Sequence, residues 1–388
     1  MPPLTHGADA VLDELRRLSD ARPLRAIDAA TLMTERAALC GFPMAGAVSA
    51  GGACHILPVR DGVIALNLPR DADWELLPAL LEDDQAGASG WAGLAAMAAG
   101  HEADMLIDRA RLLGLAAARA DRMPPAETPM AWMRMAAPAA RPLSVGPLVL
   151  DLSSLWAGPL CGHLLERCGA RVIKVESPGR MDGARRGNAH FYGLLNQGKQ
   201  CLSLDLADPA DRGHLLDLIA TADIVIESSR PRALRQWGID AEQLVANHAG
   251  LTWIAISGHG RGAPQEDWIG YGDDAAAAAG MCVAMREAVG ELVFAGDAIA
   301  DPLTGIHAAL AAWKGWMAGG GIFAALSLRQ VVSHCLHRER ARRGDAMRLD
   351  LARWHGAGSG QVPLRAIDRP VGAVGEDNGA LLCARLPC

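Results

Sequence analysis

Between residues 147 and 257 the chain repeats one pattern, and that pattern limits the fold more than any other feature. "PLVLDLS" (147–153) is a short apolar run ending in an acid and small polar residues, and a helical stretch, "GPLCGHLLERCG", follows it. "ARVIKVE" (170–176), "CLSLDL" (201–206), "DIVIES" (223–228) and "LTWIAIS" (251–257) repeat the strand signature, with "PADRGHLLDLIATA" as a helix between two of them. Strands that are apolar on both faces and alternate with helices form a parallel sheet with crossovers. The expected fold class is therefore α/β, with a Rossmann-like parallel sheet and its ligand at the carboxyl ends of the strands.

The dinucleotide form of that fold fails a test of sequence. The turn after the first strand is "SLWAGPLCG", which lacks the G-x-G-x-x-G that lets a backbone approach a pyrophosphate. Glu176 stands where a ribose-binding acid would, but one acid without the glycines is a weak signal. The rest of the composition narrows the class further. The 388 residues are 51% hydrophobic with net charge −7, and the basic residues are scattered, so no nucleic-acid surface is expected. No stretch is long and apolar enough to span a bilayer, and the start of the chain lacks a secretory pattern. The nine cysteines show no C-x-x-C pair, which fits reduced thiols in the cytoplasm. "CGHLLERC" has no usual zinc spacing, and no metal site is expected.

Ahead of the alternating region the pattern differs. Residues 8–41 read as helical, with a second helix near 28–40 ending at Gly41. "CHILPVRDGVIALNLP" (54–69) reads as a hairpin around Asp61-Gly62. A helix starts at "DADWELLPALLE", and an Ala-rich helical region is expected to run to about residue 120. "DRMPPAETP" (121–129) and "APAARPLSVGP" (137–147) are breaker clusters. The expected division is a small α+β domain over 1–145, a large domain over 146–340 and an extended C-terminal arm over 341–388.

One stretch carries candidate chemistry. In "FAGDAIADPLTGIHAAL" (294–310), Asp301-Pro302 reads as a helix start, with Asp301 as the N-cap. The cap position also supplies an exposed, oriented carboxylate, so capping and chemistry are compatible. Asp297 is its rival, without the proline or the helix behind it.

These motifs together resemble class III CoA-transferases, the family that includes formyl-CoA transferase, carnitine CoA-transferase and α-methylacyl-CoA racemase. "VLDLSSLWAGPLCGHLLERCGARVIKVESPGRMDGARRG" resembles the family's opening block, and "LLNQGKQCLSLDLADPADRGHLLDLIATADIVIESSRPRALRQWGID" its next. "NHAGLTWIAISGHGRGAP", "IGYGDDAAAAAGM" and "IADPLTGIHAAL" follow in the family's order. The resemblance implies transfer of CoA from an acyl-CoA donor to a carboxylic acid through an aspartyl-CoA thioester on Asp301. CoA and acyl-CoA would be substrates, with no permanently bound cofactor.

It also implies that Trp156 and Ala157 lie beside the CoA entrance, that Ser177 and Leu204 flank its nucleotide end, and that Tyr271 lies near the thioester. Ser228 follows the fourth strand, where the family often has Asn-Phe before Arg-Pro. CoA also needs cations for its phosphates. Lys174, Arg180, Arg185, Arg186, Lys199, Arg230, Arg232 and Arg235 all lie in connections after strands.

Racemisation would need an acid and a base on opposite faces of the α-carbon. The racemase branch has a histidine where this chain has Tyr271, a poor base at neutral pH. His259 and His307 are the substitutes, both readable as packed side chains. A racemase and a non-catalytic CoA-binding protein stay open as alternatives. In the family the small domain follows the catalytic helix, whereas "SAGGACHILPVRDGVIALNLPRDADWELLPALL" (49–81) and "DMLIDRARLLGLAAARA" (104–120), which resemble it, come first here. The chain is thus expected to be circularly permuted, with Gly51 and Gly52 as the loop over the active site and a homodimer as the assembly. "GSGQVPLRAIDRPVGAVGEDNGALL" resembles the family's C-terminal arm.

Overall fold

The structure, a computed structural model, describes residues 1–140, 146–357 and 363–383. The expected boundary at 145/146 and parts of the expected arm lie at or beyond the edges of the described residues. The α/β class is what the chain adopts. Strands β1 (Cys54–Val59), β2 (Gly62–Asn67) and β3 (Ala116–Arg119) form a three-stranded antiparallel sheet. Strands β4 (Met130–Arg134), β5 (Leu148–Asp151), β6 (Arg171–Glu176), β7 (Gln200–Ser203), β8 (Ile224–Glu227), β9 (Thr252–Ser257) and β10 (Ile322–Ser327) form a seven-stranded sheet in the order β4-β10-β9-β8-β5-β6-β7. Six of its strands run parallel, and β4 pairs antiparallel with β10 at one edge.

Both faces of the six parallel strands are covered, which explains their unbroken apolar runs, whereas the edge strand β4 is mostly exposed. Ile224, Ile226 and Ile254 face one core with Leu160, Leu164, Leu303 and Ile306. Val225, Trp253, Leu150 and Ile173 face the other, with Leu215, Ile219 and Val245. The chain builds outward from β5 through β6 to β7, then returns to β8 on the other side of β5. Strand order therefore reverses between β5 and β8, the place where sheets of this kind open a crevice at their carboxyl ends.

Two helices start at that edge. Helix α4 (Ala157–Arg167) follows β5, and helix α6 (Ala300–Met317) leads into β10. The N-terminal helices α1 (Thr5–Ser19) and α2 (Ala29–Cys40) share the first core, since Leu12, Leu15, Leu32 and Met33 pack with the residues of α4 and α6. Residues 54–119 have a core of their own, built on Leu57, Ile64, Leu66, Leu77, Leu80, Leu94, Leu106 and Ile107.

Three expectations need correction. The region before residue 120 is not helical throughout: α3 (Ala103–Leu113) ends at Gly114, whose φ of 74° lets the chain turn back into β3. Strand β3 reads "AAAR", and it is a strand only because β2 offers it a ladder. Strands β4 and β10 also went unread, because "MAWMR" and "IFAALS" sit inside apolar stretches without alternation.

A buried charge network lies under α4. Lys199 Nζ reaches Asp151 Oδ2, Pro159 O and Asn196 Oδ1 at 2.8, 2.8 and 3.0 Å. Lys174 Nζ reaches Asp182 Oδ2 at 2.8 Å and Ser153 O at 3.0 Å. Burial alone would raise the Asp151 carboxyl, but the Lys199 and Lys174 charges and the Ser153 hydroxyl bring it below its ordinary value. Breaking a buried pair by removing one partner strands the other charge. Lys199→Ala should therefore lower unfolding stability by about 3–5 kcal/mol. A urea denaturation series would show this as a lowered midpoint with an unchanged slope, and an unchanged midpoint would refute it.

Candidate active site

The segment leading into α6 is held from two sides. Phe294–Ala295 pairs antiparallel with Ala45–Gly46, and Gly296 N–H donates to Met44 O at 3.0 Å. Asp297 follows, fully buried, and takes both Nε–H (2.8 Å) and an Nη2–H of Arg36 from α2. Ala298 sits at φ 44°, a region unusual for a residue with a Cβ. Its N–H donates to Asp273 Oδ1 at 3.0 Å, and its carbonyl accepts the Asp301 N–H at 2.9 Å. Backbone held in a sparsely populated region by surrounding bonds is typical of functional turns.

Asp301 is the second residue of α6 and not its cap, which corrects the expectation from Asp-Pro. The helix starts earlier because the left-handed Ala298 already closes the first turn. The carboxylate still lies at the positive end of α6. The backbone N–H of Ala157, the first residue of α4, also pulls its carboxyl down, so two helix N-termini lie close to it.

Opposite stands the seven-residue helix α5 (Gly272–Ala278). A Cβ on Gly272 would lie 2.3 Å from Asp301 Oδ2 and 2.5 Å from Ala298 O, so only glycine permits this approach. Asp274 accepts from Tyr271 N–H and from Asn67 Nδ2, both at 2.9 Å. Asn67 ends β2, and this bond ties the smaller sheet to the site. His259 Nε2 lies 3.7 Å from Asp274 Oδ2.

The charge balance is uneven. Three carboxylates, Asp273, Asp297 and Asp301, face the single guanidinium of Arg36, which lies 4.8 Å above the Trp156 ring. Burial pushes the Asp301 carboxyl up, Arg36 and the Ala157 N–H pull it down, and Asp274 and Asp297 push up again, leaving it at about 7. Asp273 is likewise raised to about 7, by burial first and then by Asp297. Burial works against the Arg36 charge, but its bonds to Asp297 and the neighbouring carboxylates hold it above its ordinary value. Perturbed carboxylates gathered in a cleft mark functional sites. Among the described residues no group of three or more His, Cys, Asp or Glu is placed to hold a metal, and no helix is long and apolar enough to cross a membrane.

Trp156 and Ala157 are buried, and Trp156 meets Phe191 edge-on at 4.9 Å, so they form the wall behind Asp301. Tyr271 precedes α5 and is half-buried, and Leu204 is buried in the core beneath the strand ends. Ser228 Oγ accepts from Ser154 N–H at 3.1 Å and so bridges the crevice between β5 and β8. Ser177 is half-buried in a turn bridged to Arg180. Gly51 and Gly52 lie in an exposed turn whose Gly52 N–H donates to Ser49 O at 2.9 Å. A Cβ on Gly51 would sit 3.9 Å from Arg36 Nη2, which places this turn beside the site.

The expected cations divide into two groups. Lys174 and Lys199 are a correction: both are buried in the network under α4, so neither reaches a phosphate in solvent. Arg185 is taken up by Glu176, and Arg235 lies within 3.7–3.9 Å of Asp240, Glu242 and Glu266. Arg180, Arg186, Arg230 and Arg232 are exposed and make no ion pair among the described residues. His307 is buried along α6 with Nδ1 at 2.8 Å from Leu303 O, and burial lowers it to about 4. Sequence reasoning missed Arg36 and Asp273. An arginine inside an apolar helix, "TLMTERAAL", was the available signal for the first.

The raised carboxyls have a consequence for stability. Asp301 binds a proton more tightly folded than unfolded, so folding stability falls as pH rises from about 4 through 7. Asp301→Asn removes that penalty. The variant should match the parent near pH 4 and exceed it by on the order of 1–3 kcal/mol at pH 8, after allowance for partial exposure. Parallel stability curves across pH 5–8 would contradict the raised value.

Residues 145–326 match the model of CoA-transferase family III. A succinyl-CoA–D-citramalate CoA-transferase of Chloroflexus aurantiacus is 37% identical over 140 residues, covering 34% of this chain and 35% of that protein. A succinate–glutarate CoA-transferase of Agrobacterium fabrum is 34% identical over 179 residues, covering 43% and 44%. A hypothetical protein of Mycobacterium tuberculosis with a crystal structure shares 27% identity over 54% of this chain and 60% of its own, at a TM-score of 0.47. The chain thus spans under half the length of these two curated relatives. The match to CoA-transferase family III thus covers residues 145–326, the segment that carries Asp301.

Proposed function

We propose that this protein moves CoA from an acyl-CoA to a carboxylic acid, with Asp301 as the nucleophile. The observation that carries this is the placement of the Asp301 carboxylate at two converging helix N-termini, beside one arginine and with part of its residue surface open. In this scheme the carboxylate attacks the donor thioester carbonyl, and the C–S bond breaks to give an acyl-aspartyl anhydride and CoA thiolate. The thiolate attacks the aspartyl carbonyl and expels the donor acid as its carboxylate, leaving an aspartyl-CoA thioester. The acceptor carboxylate attacks that thioester, thiolate leaves again, and its attack on the acceptor acyl carbonyl releases the new acyl-CoA and free Asp301. Each step exchanges one carboxylate or thiolate for another. The oxyanions form near the N–H groups that open α4 and α6.

The names of the relatives, with succinate, glutarate and D-citramalate as acids, support small carboxylic acids as substrates. For CoA itself we assign the crevice at the β5/β8 reversal, with Ser177 and Ser228 as neutral donors and Arg180, Arg230 and Arg232 for the phosphates. Tyr271 stands at the thioester end. We further assign residues 49–120 as the family's small domain placed ahead of the large one, with the Gly51-Gly52 turn over the site, and a homodimer as the working assembly. Support for the first of these is the independent core of that unit and its Asn67–Asp274 link to the site.

The test is mass spectrometry of the protein incubated with formyl-, acetyl- and succinyl-CoA, then quenched with hydroxylamine or borohydride. A trapped product on the peptide holding Asp301, absent in Asp301→Ala, is the expected outcome. Exchange of the α-hydrogen in D₂O without any adduct would replace transfer by racemisation. Bound CoA with neither signal would make the protein a binder.

A further inference from the structure

Among the described residues, the arginine that the carboxylate cluster shares comes from α2, more than a hundred residues before the segment that matches the family. Its guanidinium is fixed on three sides. Nε and Nη2 grip the two oxygens of Asp297, the plane lies over the Trp156 ring, and Nη2 borders the Gly51 turn. A fork of this kind fixes orientation as well as charge, which an ammonium does not. Asp297 begins the tight turn through Ala298 into Asp301, so holding Asp297 holds the direction in which α6 presents Asp301.

The groups around Asp301 are otherwise unfavourable to its negative charge. Asp297 opposes it from its own segment and Asp274 from α5, where Asp273 also draws on the Arg36 charge. Asp274 is backed by Asn67 from β2 and by His259 from the loop after β9. The buried thiol of Cys54 lies near Asp273 and Asp274, and that of Cys282 near Asp273. Helix α4 contributes only N–H groups and the Trp156 ring. Arg36 is the counter-charge that this set requires.

We propose that Arg36 is the positioning residue of this site: paired to Asp297 and lying over the Trp156 ring, it fixes the turn that presents Asp301 and supplies the counter-charge for that carboxylate among its acidic neighbours. The inference rests on Asp301 as the nucleophile for its consequence in the reaction, but not for its electrostatic content. The pull of Arg36 on Asp301 supports it.

Two readouts separate those parts. The first is the pH dependence of Asp301 labelling by a water-soluble carbodiimide and an amine, localised by tandem mass spectrometry, since only the protonated carboxyl reacts. The second is the pH profile of acyl exchange. In Arg36→Gln the labelling midpoint should move up by about one pH unit, with an approximately tenfold loss of exchange at pH 7 that higher pH partly restores. Arg36→Lys should keep the midpoint near that of the parent while kcat falls, because charge is kept and placement is lost. Asp297→Asn should move the midpoint down, by freeing the Arg36 charge and removing an anion. A folded Arg36→Gln with unchanged midpoint and kcat would overturn the proposal. If that variant does not fold, an unmoved midpoint in Asp297→Asn would overturn it. Shifted midpoints in a protein that exchanges no acyl group would keep Arg36 in its role and remove Asp301 from the nucleophile's.

Discussion

The site depends on how closely α4 and α6 pack. A Cβ on Gly305 would meet Ala157 O at 2.7 Å and Leu160 at 3.0 Å, and one on Gly158 would meet the Ser153 side chain at 2.2 Å. Glycine at these places, with buried Ala308, Ala309 and Ala312 further along α6, allows the two axes to approach with little side-chain material between them. Both helices start at the carboxyl edge of the sheet because each precedes or follows a parallel strand. Close packing and common direction together bring their N-termini to one point, where the Ala157 N–H lies near Asp301. A larger residue at Gly305 would separate those ends before it disturbed the sheet.

Two buried charge clusters show how the same low-dielectric interior is used in opposite ways. Under α4, Asp151 and Asp182 are matched by Lys174 and Lys199, the hydrogen bonds are short and direct, and Asp151 is held below its ordinary value. That cluster is balanced, and it braces the turn after β5. Around Arg36 three carboxylates share one cation, and two of them are raised to about 7. An imbalance of this size costs folding stability and leaves carboxylates poised near neutral pH. Proteins accept such costs where a reactive group is needed.

Much of this was legible along the chain. The strand ends of β5, β6, β8 and β9 fall within one or two residues of the apolar runs that signalled them, because strands buried on both faces leave little choice of boundary. Asp301 stood out because an acid followed by proline opens a long, nearly uncharged helix. Strand β3 was misjudged since three alanines favour a helix, and only the neighbouring β2 ladder makes them extended. Lys174 and Lys199 were misplaced for a different reason. Lysine is usually solvated, and nothing local shows that an aspartate in the following turn draws in Lys174, within β6, or that one two strands away draws in Lys199, just ahead of β7.

Apolar periodicity and local turn chemistry were enough to read the parallel sheet, the direction of its strands and the helix that carries Asp301. Which charges are available and which are spent depends on packing between distant elements. Arg36 and Asp297 are 261 residues apart, and Asn67 and Asp274 are 207 apart. Pairings across such distances depend on how whole elements pack, and no local pattern encodes them.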